Sequence, residues 1–152
     1  MSIPEVGKKI RVTVPSTTAN LGPGFDCLGA ALDLYNEFIF TRIEGGGDRF
    51  DLIMESTDGN HLRGGPEDLV FRAAQKVWES ANMDPFALEA RVKLAVPPAR
   101  VLGSSATAIV AGLIGANAIM NSPLSKEKLL ELAIDIEAVS YTHLTLPTSD
   151  LV

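Results

Sequence analysis

The sequence predicts an α+β domain in which a mixed or antiparallel sheet carries helices on one face. Three observations support this. Residues 10–14 and 86–96 place apolar side chains at every second position, the period of a half-buried strand. Residues 67–81 and 125–137 place them at i, i+3, i+4, the period of an amphipathic helix. Residues 108–120 form a run of small and apolar residues of helical length. With 152 residues, 46% apolar and 21% charged, the chain is one domain's worth and long enough to bury a core.

Taken in order, Ile10-Arg-Val-Thr-Val14 is a strand expected to stop at Pro15. Ser16 to Asp26 is then a loop dense in hydroxyl and turn residues, with Gly22 and Gly24 free to take positive φ. A plain connection would explain it. Equally, Asn20 and Asp26 are placed to grip a polar ligand, since loops held by rigid strands often carry binding groups. Cys27 to Leu34 and Asn36 to Ile43 read as two further strands. Gly45-Gly-Gly-Asp48 reads as a turn leading into Arg49 to Met54, its hairpin partner. Ser56 to Pro66 is a polar surface loop, and His61 within it is a solvated histidine.

Glu67 to Ala81 is a helix with Leu69, Val70, Ala73, Ala74, Val77 and Trp78 on its buried side. Phe86 to Val96 is a strand running into Val96-Pro-Pro-Ala-Arg-Val-Leu-Gly-Ser-Ser-Ala-Thr107 and the small-residue helix. Asn121-Ser-Pro turns the chain. Ser125 caps a last helix through Glu137, with Leu129, Leu130, Ala133, Ile134 and Ile136 facing inward. From Ala138 the sequence changes character. It resembles translated read-through of a sequencing adapter, so Tyr141 and His143 are kept out of any site.

Composition excludes several functions. The net charge of −6 with no basic block argues against nucleic acid. Cys27 is a lone cysteine, so no disulfide framework or cysteine zinc site is expected. No signal peptide and no membrane-spanning run is legible, and a cytoplasmic protein with no membrane partner is the default.

The Gly103-Ser-Ser-Ala106 step is the chemical focus. A helix N-terminus leaves backbone N–H groups unpaired and carries about half a positive charge, and small residues let an anion approach. An ordinary turn capped by Ser104 or Ser105 is the alternative. A nucleophile elbow lacks its second glycine, and a Walker loop lacks its lysine. A phosphate cradle of backbone N–H groups remains, in which Ser104 or Ser105 could ligate a phosphate-bound Mg²⁺.

Two stretches, Pro15-Ser-Thr-Thr-Ala-Asn-Leu-Gly-Pro-Gly-Phe-Asp-Cys-Leu-Gly29 and Pro97-Pro-Ala-Arg-Val-Leu-Gly-Ser-Ser-Ala-Thr107, resemble the homoserine kinases of the GHMP kinase superfamily. The first motif is specific to that family; the second marks the superfamily. The resemblance covers residues 8–137. It implies a ribosomal protein S5 domain 2-like N-terminal domain and ATP-dependent phosphorylation of the L-homoserine hydroxyl, a step in threonine synthesis.

Position by position, it implies that Asn20 and Asp26 contact the amino-acid substrate. ATP phosphates would lie on Pro97, Pro98, Ala99, Arg100, Val101, Leu102, Gly103, Ser104, Ser105, Ala106 and Thr107. Ser105, with Glu131 or Glu137, would ligate Mg²⁺. Small-molecule substrate and ATP are the implied partners, with a homodimer for the intact parent. A mevalonate or diphosphocytidyl-methylerythritol kinase is a second reading, which the Asn20–Asp26 loop opposes. A nucleotide-binding or inactive fragment without turnover is a third.

Two departures from the family's pattern set further expectations. Val101 stands where the family has the first glycine of its loop, and a β-branched residue is strongly disfavoured at positive φ. Weaker ATP binding is expected. The family also continues into a Gly-His-Pro-Asp-Asn-like motif, which bears an active-site aspartate, and a second domain. Here residues 1–137 are expected to be an N-terminal ATP-binding domain, truncated, with 138–152 a non-native tail and no certain catalytic residue.

Overall fold

The computed structural model describes residues 3–19, 21–24, 27–47, 49–55, 61–63, 68–95 and 104–142. In chain order these form β1 (Lys9–Thr18), a 3-10 turn (Gly22–Gly24), β2 (Ala30–Gly46), β3 (Phe50–Glu55) and β4 (His61–Arg63). Then come α1 (Leu69–Ser80), β5 (Phe86–Lys93), α2 (Ser104–Ile119) and α3 (Lys126–Thr142). The sheet order is β1-β2-β5-β3-β4, antiparallel except for the parallel β3–β5 pair. It is the expected mixed sheet of an α+β fold, with its helices on one face.

Strand parity explains that one-sidedness. Val12, Val14, Phe38, Phe40, Leu52, Leu88, Ala90 and Val92 are buried under the helices. The alternate positions, among them Arg11, Glu37, Glu89 and Arg91, face solvent and form the Arg11–Glu37 and Arg91–Glu89 ion pairs at 3.5 and 2.8 Å. Such exposed pairs contribute little stability.

Several strand expectations are corrected. β1 does not stop at Pro15 but continues to Thr18, with its register shifting between Pro15 and Thr17. An edge strand tolerates proline at such a bulge, where no ladder N–H is needed. The two strands expected between Cys27 and Ile43 are one, β2, of 17 residues.

The expected hairpin of Arg49–Met54 on β2 does not form. The glycine turn exists, with φ +119° at Gly45 and +73° at Gly47, but β5 lies between β2 and β3. Buried Arg42 holds the irregular end of β2, donating from Nη2 to Gly45 O at 3.1 Å and from Nη1 to Ala87 O at 3.2 Å, with its guanidinium 5.3 Å from the Phe86 ring. β5 is buried at Phe86, Ala87 and Leu88 in succession, which suits a central strand rather than an edge. The supposed surface loop 56–66 contains β4, whose His61 pairs opposite Glu55 of β3.

α1 is capped by Asp68, whose carboxylate accepts from the Val70 N–H at 2.8 Å. Burial, opposed by bonds from the Val70 and Phe71 N–H groups, raises the Asp68 pKa above its ordinary value. The apolar face of α1 is buried as expected, and Phe50, Phe71, Trp78 and Phe86 stack in a row with centroids 5.0, 6.4 and 5.3 Å apart. Trp78 is therefore core.

α2 is the central helix, and its glycines are contact points. A Cβ at Gly112 would lie 2.6 Å from the Val70 carbonyl oxygen, and one at Gly115 would run into the Phe40 ring. These positions let α2 sit against α1 on one side and the sheet on the other.

α3 departs from expectation twice. Ser125 does cap it, Oγ accepting from the Lys128 N–H at 3.3 Å, but the helix runs to Thr142 rather than ending at Glu137. Nothing from Ala138 to Thr142 breaks a helix; the nearest proline is Pro147. Leu130 and Ile134, expected inward, are 63% and 60% exposed. The packed face is instead Leu129, Leu132, Ala133 and Ile136, one i, i+3, i+4, i+7 stripe. Leu130 and the exposed Ile114 edge an apolar groove between α2 and α3.

Candidate functional site

The sequence points to two loops and one helix end. Of the first loop, Asn20 and Asp26 lie outside the described residues. Between them the chain turns at Gly22–Gly24, with Gly22 at φ +57° as its glycine permits. Gly24 does not use positive φ. A Cβ there would lie 2.6 Å from the Leu28 side chain, and its carbonyl accepts from the Cys27 and Leu28 N–H groups at 3.0 and 2.8 Å.

Of the second loop, Pro97, Pro98, Ala99, Arg100, Val101, Leu102 and Gly103 lie outside the described residues. The helix that follows is placed. α2 begins at Ser104, so Ser104 and Ser105 are inside the first turn and neither precedes the helix as its cap. Sixteen residues make a rod of about 24 Å, and no acidic side chain in its first turn offsets the positive end of the dipole. Ser105 is exposed, whereas Thr107 is 1% exposed.

Thr107 belongs to a polar cluster that the sequence reading missed. Asn36 of β2, 3% exposed, donates from Nδ2 to Thr107 Oγ1 at 3.3 Å and accepts at Oδ1 from the Ala95 N–H at 2.9 Å. The available signal was parity: Asn36 shares the inward face of β2 with Phe38 and Phe40. A polar residue in that register demands a partner.

The two candidate metal carboxylates occupy different settings. Glu131 is solvent-exposed and ion-paired with Lys128 at 2.9 Å. Glu137 is half-buried and makes no ion pair among the described residues. The 120–125 connection folds α3 back along α2, Asn117 bonding both the N–H and the carbonyl of Leu124 at 3.0 Å. Beside Glu137, Ile136 lies with Leu132 and Asp135 against α1, at Arg72, Gln75, Lys76, Glu79 and Ser80. No group of three or more His, Cys, Asp or Glu that could hold a metal forms among the described residues. The α2–α3 groove is lined mainly by apolar side chains, with Asn117, Ser122 and Lys126 among them. No described helix is long and apolar enough to cross a membrane.

Comparison with known proteins bears on the fold and the family. The homoserine kinase of Prochlorococcus marinus (strain MIT 9301) is 98% identical over 137 residues, covering 90% of this chain and 44% of that protein. That of Parasynechococcus marenigrum (strain WH8102) is 74% identical with the same coverage. The chain therefore spans less than half the length of the curated relatives it matches.

Among solved structures, homoserine kinase from Cytophaga hutchinsonii ATCC 33406 superposes with a TM-score of 0.74 at 25% identity, covering 93% of this chain and 45% of that one. Methanococcus jannaschii mevalonate kinase superposes with a TM-score of 0.68 at 16% identity, covering 86% and 46%, a likeness of fold alone. The family of GHMP kinases, N terminal domain, matches residues 68–145. Since that match runs from the Asp68 cap through α1, β5 and α2 into α3, the chain belongs to the GHMP kinases, in the region of their N-terminal domain.

Proposed function

We propose that this chain is the phosphate-binding part of a homoserine kinase, which transfers the γ-phosphoryl group of ATP to the hydroxyl of L-homoserine. The product is O-phospho-L-homoserine, placing the reaction in threonine biosynthesis and the protein in the cytoplasm. The 98% identity to a homoserine kinase over 137 residues carries this reading. Residues 1–137 are the N-terminal ATP-binding domain in it, with 138–152 apart from it. The uncovered apolar edge at Ile114, Leu130 and Ile134 fits a domain that packs against the remainder of the enzyme.

In the reaction the substrate oxygen forms a bond to the γ-phosphorus and gives up its proton to solvent, as the bond from phosphorus to the β-bridging oxygen breaks and ADP leaves. Positioning and charge neutralisation do most of this work. The unpaired N–H groups of the first turn of α2 receive phosphate oxygens, aided by the loop 97–103. Mg²⁺ arrives with ATP and prefers oxygen ligands. The exposed Ser105 hydroxyl would supply one such oxygen and Glu131 or Glu137 another; of the two, Glu131 is paired with Lys128, whereas Glu137 makes no ion pair among the described residues. Asn20 and Asp26 hold the amino-acid end. Asp26 orients the substrate ammonium through a charge-assisted hydrogen bond of about 1.5–3 kcal/mol, and it is not the base.

A coupled assay of ADP release, with and without L-homoserine, tests the reading. Homoserine-dependent turnover supports it fully. MgATP binding without turnover identifies the chain as the binding part alone. The absence of both binding and turnover refutes it.

A further inference from the structure

The strand β5 ends at Lys93 and α2 begins at Ser104, so the loop between them is anchored by what grips its two flanks. One side chain grips both. Asn36 Oδ1 accepts the N–H of Ala95 at 2.9 Å, just before the loop, while Nδ2 donates to Oγ1 of Thr107 at 3.3 Å, in the first turn of α2. We propose that Asn36 is the positioning residue of the phosphate loop: it sets the distance between the β5 exit and the first turn of α2. It thereby aims the unpaired N–H groups and the Ser105 hydroxyl. The proposal rests on the reading of 97–107 as that loop.

The residue type supports this role. Asn36 is 3% exposed and faces the same way as Phe38 and Phe40, a register in which an apolar side chain would fill the space without desolvating an amide. A carboxamide offers one acceptor and one donor on a single rigid plane, matching a backbone N–H on one flank and a hydroxyl on the other. Leucine keeps the approximate volume and removes both bonds. Because β2 is fixed by pairing with β1 on one side and β5 on the other, Asn36 refers the loop to the rigid centre of the sheet.

The test titrates MgATP into the 152-residue chain and into Asn36→Leu, Thr107→Val, Thr107→Ser and Val77→Ala, with thermal melting of each. Loss of both tethers leaves the first turn of α2 less pre-organised for the phosphates, and affinity is predicted to fall at least about tenfold for Asn36→Leu. Thr107→Val follows in the same direction, and Thr107→Ser, which restores the hydroxyl, recovers affinity. Val77→Ala removes buried volume in α1 and melts lower but binds like the parent. The proposal is overturned if folded Asn36→Leu and Thr107→Val bind MgATP like the parent, or if affinity tracks melting temperature across all variants.

Amide hydrogen exchange separates this proposal from the reading beneath it. If the parent chain binds no MgATP, the phosphate-loop reading fails. Faster exchange at Ala95 and in the first turn of α2 in Asn36→Leu still supports the anchoring role, and unchanged exchange there removes it.

Discussion

α1 and α3 look alike as sequence and behave differently as structure. Both carry apolar residues at helical spacing and both begin at a side-chain cap, Asp68 for α1 and Ser125 for α3. α1 buries its apolar face from Val70 to Trp78, with Ala73, Ala74 and Val77 at 0% exposure and Trp78 at 1%, and leaves only Leu69 partly buried. α3 buries one stripe and leaves Leu130 and Ile134 in solvent. Periodicity identifies which residues of a helix are apolar; what covers them depends on the neighbours. α1 has the aromatic row and α2 around it, whereas α3 rests on one side of the helical layer only.

A graded series of substitutions, read by urea unfolding, sharpens the contrast. Trp78→Ala removes the centre of the aromatic row and is expected to cost about 3–5 kcal/mol. Gly115→Ala forces a methyl against the Phe40 ring and is expected to cost about 1–3 kcal/mol, limited by how far α2 can shift. Leu130→Gln is expected to change stability by no more than about 0.5 kcal/mol, as for a surface site. A Leu130→Gln cost as large as that of Gly115→Ala would show that the outer stripe of α3 is covered after all, and would erase the distinction between the two helices.

The fold class, all three helices, the Ser125 helix start and the buried Trp78 were legible in the sequence. Each depends on local periodicity or a cap. The neighbours of β3 were not legible: a glycine turn between two strand-like runs reads as a hairpin, and only the central place taken by β5 prevents it. Pro15 misled for a similar reason, since an edge strand accepts a proline that a central strand would not. The site divides the same way. The small-residue start of α2 was visible as a motif, but Asn36 was not, because its importance lies in the partners Ala95 and Thr107, far along the chain. Glu131 and Glu137 differ in exposure and pairing, which helical periodicity alone does not separate.

The central claim is that the turn from β5 into α2 binds the phosphates of ATP, at a strength held down by Val101 where the family has glycine. Titrating MgATP into the parent chain and into Val101→Gly, by calorimetry at fixed salt, tests it most directly. The account predicts saturable binding by the parent and tighter binding by Val101→Gly, with Ser105→Ala weakening both. Absence of binding in the parent and in Val101→Gly alike would contradict it.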